Sequence, residues 1–173
     1  MNEIIFILGG ARSGKSAFAI TLAKKSNKKK IAFIATAEAL DKEMKERIAL
    51  HKKHRPQNFQ AFEAPCDIEA VLKKIMGKFD IIIIDCLTLF VSNLLLKKYK
   101  EPEICKKMES ILGLLKKTKA KSIIISNEVG LGIVPHTKLG RDFRDIAGKV
   151  NQLVAQRADN VFFMISGLPW RIK

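Results

Sequence analysis

Residues 9–16, Gly-Gly-Ala-Arg-Ser-Gly-Lys-Ser, join an apolar run at 2–8 to a helix-forming stretch at 16–24. The spacing fits G-x-x-x-x-G-K-[ST], a phosphate-binding loop at a strand-to-helix junction. No other feature of the chain limits its fold as sharply. Glycines allow the left-handed turns that aim successive backbone N–H groups into one concavity. The helix opening near Gly14 adds its positive dipole end. Gly9, Gly10, Ala11, Arg12, Ser13 and Gly14 then form the cradle. Lys15 reaches the β- and γ-phosphates, and the Ser16 hydroxyl ligates Mg²⁺. The expected ligand is a nucleoside triphosphate.

A strand that feeds such a loop belongs to a parallel sheet, and the remaining pattern agrees. Apolar runs at 30–36, 79–88, 121–126 and a last one at 160–166 read as strands, and 57–64 as a short alternating one. Between them, 40–55, 67–76, 87–117 (broken near Pro102) and 140–157 read as helices. Near-continuous apolar strands with helical crossovers mean a sheet covered on both faces. The predicted class is α/β, a P-loop NTPase of the RecA-like kind, in one domain spanning 1–173.

Composition narrows the setting. Hydrophobic residues make up 47% of the 173, which excludes a disordered chain. The three cysteines, Cys66, Cys86 and Cys105, are widely spaced and show no metal-like pairing. A reducing cytoplasm fits them better than a secreted scaffold. The opening "MNEIIFILGG" has no basic n-region and too short an apolar core for a signal peptide. The greasiest stretch, 81–96, carries Asp85 and Asn93 and falls short of about 18 clean apolar residues, so no membrane span is expected. The net charge of +15 is mostly lysine scattered in short clusters, with one Tyr and one Trp for base stacking. It reads as a solvated surface that attracts anionic substrates rather than as a nucleic-acid site.

Two further groups carry chemistry. Asp85 ends the run "FDIIIID", where a P-loop protein places the acid that supports Mg²⁺ or its water shell. In helix 40–55, Leu40, Met44 and Ile48 form an apolar stripe expected to face the sheet. Arg47, His51 and Arg55 form a second ridge about 60° round, given 3.6 residues per turn. Arginines one turn either side of an imidazole suit a polyphosphate gripped while the imidazole attacks it. A nucleic-acid-stimulated ATPase and a non-catalytic nucleotide switch also fit the P-loop, Asp85 and the charge, but neither gives His51 a task.

"GGARSGKS", "FIATAEALDKEMKERIALHKKHRP", "DCLTLFVSNLL" and the stretch from "SNEVGLGIVP" to "LPWRIK" together resemble the bifunctional adenosylcobinamide kinase / adenosylcobinamide-phosphate guanylyltransferase family of cobalamin biosynthesis. The resemblance runs nearly end to end and is most specific in "NEVGLGIVP" followed by "RDFRDIAGKVNQ". One departure is visible: Leu50 stands where the family often has the first of two adjacent histidines. The resemblance implies His51 as the guanylylated nucleophile, and GTP contacts at Ala35, Thr36, Lys52, Lys53, His54, Arg55, Glu63 and Asp85. It implies two reactions, phosphorylation of adenosylcobinamide by ATP or GTP and transfer of GMP from GTP to adenosylcobinamide phosphate. It also implies a homotrimer. Glu128, Gly130 and Gly132 are expected near the phosphates, with no role assigned.

Overall fold

The computed structural model describes residues 3–26, 28–39, 41–54 and 56–173, the side chains of Arg47, His51, Lys53 and His54 excepted. Leu40 and Arg55 therefore lie outside the described residues. Seven strands form one sheet in the order β3-β2-β4-β5-β1-β6-β7. The strands are β1 (Ile4–Gly9), β2 (Ile31–Ala35), β3 (Phe59–Glu63), β4 (Ile81–Asp85), β5 (Lys121–Ile125), β6 (Asn160–Ile165) and β7 (Leu168–Arg171). The first six run parallel, and β7 returns antiparallel beside β6.

Alternation in the isoleucine-rich strands divides the core into two layers. Phe6, Ile82, Ile84 and Ile124 point to one face, where they meet α3 (Ile68–Ile75), α4 (Leu87–Leu96), α5 (Glu101–Lys117) and α6 (Lys138–Arg157). Ile7, Phe33, Ile83 and Ile125 point to the other, under Ala19 and Ala23 of α1 (Lys15–Lys25). A strand buried on both faces cannot alternate polar and apolar residues, which is why β1 and β4 read as unbroken apolar runs. The expected α/β sheet with helices on both faces is what the chain forms.

The expected helix 87–117 is two helices. Lys98 turns the chain at φ 65, and α5 restarts with Lys100 N donating to Glu103 Oε2 (2.8 Å) and Pro102 in the first turn. Proline fits there because the first turn needs no N–H donor to the preceding turn. Two expectations need correction. Residues 160–166 are not the last strand: a two-residue turn at Ser166 (φ 49) and Gly167 (φ 88) leads into β7. Both positive φ values match the twist of a tight hairpin. The apolar stripe of α2 (Lys42–His54) does not pack onto the sheet as a core face. Met44 and Ile48 are half-buried and line a cavity, and no described side chain of α2 is buried.

Candidate active site

The carboxyl ends of β1, β2 and β4 converge with α2 around a cavity of about 490 Å³. Open α/β sheets bind ligands at this end, where loops diverge from adjacent strands. Residues 11–17 form its floor, Ala35 and Asp85 close the strand ends, and Met44, Ile48 and Lys52 come down from α2. Phe33 and Leu89 add apolar wall, enough to shelter a planar ring while the polar floor takes charge.

The floor is shaped by backbone. Gly9 has φ +147, and a Cβ there would lie 2.6 Å from the Met164 carbonyl oxygen of neighbouring β6. Gly14 (φ 93) caps α1, and its Cα faces Gly167 in the β6–β7 turn. Gly167 N donates to Ser13 O at 3.0 Å, so the hairpin absent from the sequence reading braces the loop. Arg12 also takes a left-handed conformation (φ 57), the local strain often seen where a loop is shaped for a ligand.

Charge converges on this floor. Lys15 is almost fully buried, and its Nζ donates to Gly10 O at 2.5 Å, with Ser13 Oγ at 3.4 Å. Burial pushes the Lys15 ammonium below its ordinary pKa, while Cys86 and Asp85 pull the other way. Ser16 Oγ donates to Asp85 Oδ2 at 2.7 Å, so the hydroxyl and the strand-end carboxylate singled out in the sequence stand side by side. Two hard oxygen donors in contact suit Mg²⁺, which takes few protein ligands and completes its shell with phosphate and water. Among the described residues no group of three or more His, Cys, Asp or Glu could hold a metal by itself.

On the opposite wall, Lys52 Nζ meets Glu63 Oε1 at 2.7 Å, with both side chains more than half exposed. Ala35, Lys52, Glu63 and Asp85 thus share one cavity with the P-loop. Thr36 does not line it: the residue is fully buried, and its polar atoms bond within the protein. The side chains of His51, Lys53 and His54, and all of Arg55, fall outside the described residues. Position 51 lies in α2 beside Lys52 and three residues after Ile48. Glu128 turns inward on its own loop, its Oε1 accepting from Gly130 N (2.9 Å) and its main-chain N donating to Gly9 O (3.1 Å). Its neighbour Asn127 lines the cavity instead, a residue passed over within the same stretch.

The family model for cobinamide kinase / cobinamide phosphate guanyltransferase matches residues 5–172. The chain belongs to this family. It is 40% identical over 168 residues to the bifunctional adenosylcobalamin biosynthesis protein CobP of Pseudomonas aeruginosa, covering 96% of this chain and 95% of that protein. It is 34% identical to the protein CobU of Escherichia coli and 36% identical to that of Salmonella typhimurium, in both cases over 98% of this chain and 99% of theirs. Family membership thus makes the chain a kinase and guanylyltransferase of cobalamin biosynthesis. Two solved structures share the fold at low identity. The flagellar accessory protein FlaH of Methanocaldococcus jannaschii matches 99% of this chain and 78% of its own at TM-score 0.55 and 16% identity. A KaiC-like protein of Pyrococcus horikoshii matches 94% and 70% at TM-score 0.52 and 15% identity. No helix among the described residues is long and apolar enough to cross a membrane.

Proposed function

We infer that one P-loop serves both steps, with adenosylcobinamide and adenosylcobinamide phosphate as successive substrates. The observation that carries this reading is the convergence of the P-loop floor and α2 on a single cavity. In the kinase step the aminopropanol hydroxyl attacks the γ-phosphorus of ATP or GTP, and the nucleoside diphosphate leaves. Lys15 and the loop N–H groups offset the charge on the β- and γ-oxygens. Ser16 and Asp85 would hold Mg²⁺, which when bound withdraws charge from the same oxygens.

In the second step an imidazole nitrogen of His51 attacks the α-phosphorus of GTP. A P–N bond forms, the α–β bridging P–O bond breaks, and pyrophosphate departs. An oxygen of adenosylcobinamide phosphate then attacks the same phosphorus, releasing the imidazole and closing a phosphoanhydride. Support for His51 comes from its place in α2, next to Lys52 and one turn from Ile48 on the cavity wall. Neutral imidazole is a competent nucleophile near pH 7 and a fair leaving group once protonated. Arg47, Lys53, His54 and Arg55 would steady the triphosphate, and Glu63 would hold Lys52 in place.

A homotrimer in the cytoplasm completes the reading. Exposed apolar side chains at Leu131, Ile133, Val134, Leu168 and Trp170 suit contact with neighbouring subunits, and the free thiols of Cys66, Cys86 and Cys105 suit a reducing compartment. The test of the transferase step is incubation with α-labelled GTP followed by denaturation and peptide mapping. Label on His51 is the expected result. Label on another residue, or none on the protein, overturns the assignment.

A further inference from the structure

Thr36 stands immediately after β2, where its neighbour Ala35 pairs with Asp85 of β4. It continues that pairing with its side chain. Thr36 N donates to Asp85 O (3.1 Å), Thr36 Oγ1 accepts from Cys86 N (2.8 Å), and the same hydroxyl donates its proton to Cys86 O (2.7 Å). One hydroxyl therefore bonds both main-chain groups of the residue after the acid, sharing the carbonyl with Phe90 N (3.2 Å). Asn93, reaching up from α4, donates one amide hydrogen to Thr36 O (2.8 Å) and the other to Pro65 O (3.0 Å). Thr36 is fully buried and Asn93 nearly so, so water does not compete for these bonds. Asp85, held on both sides, presents Oδ2 to Ser16.

We propose that Thr36, anchored by Asn93, is a positioning residue that fixes the Asp85 carboxylate against Ser16, and that its hydroxyl does not contact the nucleotide. The inference rests on the reading of Ser16 and Asp85 as the Mg²⁺-supporting pair. The Thr36 hydroxyl, bonded to both Cys86 N and Cys86 O, ties the start of α4 to the end of β2. Without it, the buried Cys86 N–H loses its partner and Cys86 O keeps only the bond from Phe90 N (3.2 Å), so the turn must shift to satisfy the orphaned donor. A shift there moves the acid off the hydroxyl while leaving the P-loop backbone, braced by β6 and β7, where it was.

The test uses the full chain and a fluorescent GTP analogue, titrated with Mg²⁺ and again with EDTA, alongside thermal unfolding. Thr36→Val keeps the shape and removes the hydroxyl; Thr36→Ser restores it; Asp85→Asn removes the carboxylate charge. The expected result for Thr36→Val is a roughly tenfold loss of affinity with Mg²⁺, within twofold of wild type in EDTA, with Thr36→Ser near wild type in both. In the Thr36→Val/Asp85→Asn double variant the Mg²⁺-dependent losses should not add. Equal losses with and without Mg²⁺ would mean a direct nucleotide contact or a general disturbance, and would overturn the proposal. So would a lower unfolding temperature with unchanged Mg²⁺ dependence. Asp85→Asn without any Mg²⁺-dependent effect would instead sink the metal reading on which this rests, and the proposal with it. Should Thr36→Val fail to fold, Thr36→Ala, which leaves room for a bridging water, is read by the same Mg²⁺ comparison.

Discussion

Replacing Gly9 by alanine tests whether the floor of the cavity is fixed by the neighbouring strand. Two separate strains arise. At φ +147 an L-residue sits in territory reserved for glycine, at a cost of about 1–3 kcal/mol. The new methyl would also lie 2.6 Å from Met164 O and 2.8 Å from Ser13 Oγ. The serine can rotate away, but the carbonyl belongs to β6, which pairs with β1 through Gly9↔Met164. Overfilling of this kind adds about 1–3 kcal/mol. We expect a loss of about 4 kcal/mol in guanidinium unfolding of the nucleotide-free protein, followed by far-UV circular dichroism at an unchanged slope. Gly10→Ala is the control, because its φ is not positive and nothing lies within 4 Å of the added carbon. It should be neutral or stabilising by up to about 1 kcal/mol through the unfolded chain. A Gly9→Ala protein within 1 kcal/mol of wild type, or a Gly10→Ala protein equally damaged, refutes the argument.

Lys15→Ala should lower kinase and guanylyltransferase rates together, measured as separate product assays; near-wild-type activity in either step would show that the loop is not shared. His51→Ala should abolish the acid-labile, alkali-stable GMP adduct and the transferase while largely sparing phosphorylation, and His54→Ala should keep the adduct. Burial raises the Cys86 thiol to about 11, with the Asp85 carboxylate adding to the effect. Its raised value means stability that is full below pH 9 and falls as the unfolded thiol ionises between pH 9 and 11, by up to about 3 kcal/mol. Cys86→Ala should flatten that stretch of the stability–pH curve, and native Cys86 should resist alkylation at pH 8 until the protein unfolds.

The parts legible in the sequence were those written in local chemistry. The spacing of Gly9, Gly14, Lys15 and Ser16 located the loop, and the isoleucines before Asp85 located the strand that delivers the acid, now 2.7 Å from Ser16. The parts missed depend on what a residue meets across the fold. Helical periodicity grouped Met44 with Ile48 correctly, but it cannot say whether such a face meets a sheet or overhangs a cavity. Leu168–Arg171 gave no strand signal because it is short, wholly exposed and contains Pro169. Thr36 sat at the right strand end for a nucleotide contact, yet nothing local says that a hydroxyl turns inward. His51 stays an inference from spacing, resemblance and its place in α2.

The interior place of β1, between β5 and β6, sets the order in which the loop can be finished. Its two edges pair with β5 and β6, and Ile4 N donates to Asp159 Oδ2 at 2.8 Å across 155 residues of chain. At the usual synthesis rate of about 5–20 residues per second, roughly 8–30 s separate the two partners on the ribosome. Until then an apolar strand stands with an open edge, a template for the wrong neighbour. The loop made early acquires its Met164 wall and Gly167 brace only when nearly all of the chain has emerged. A nascent or truncated chain that stops before β6 would carry the whole phosphate motif and still bind no nucleotide.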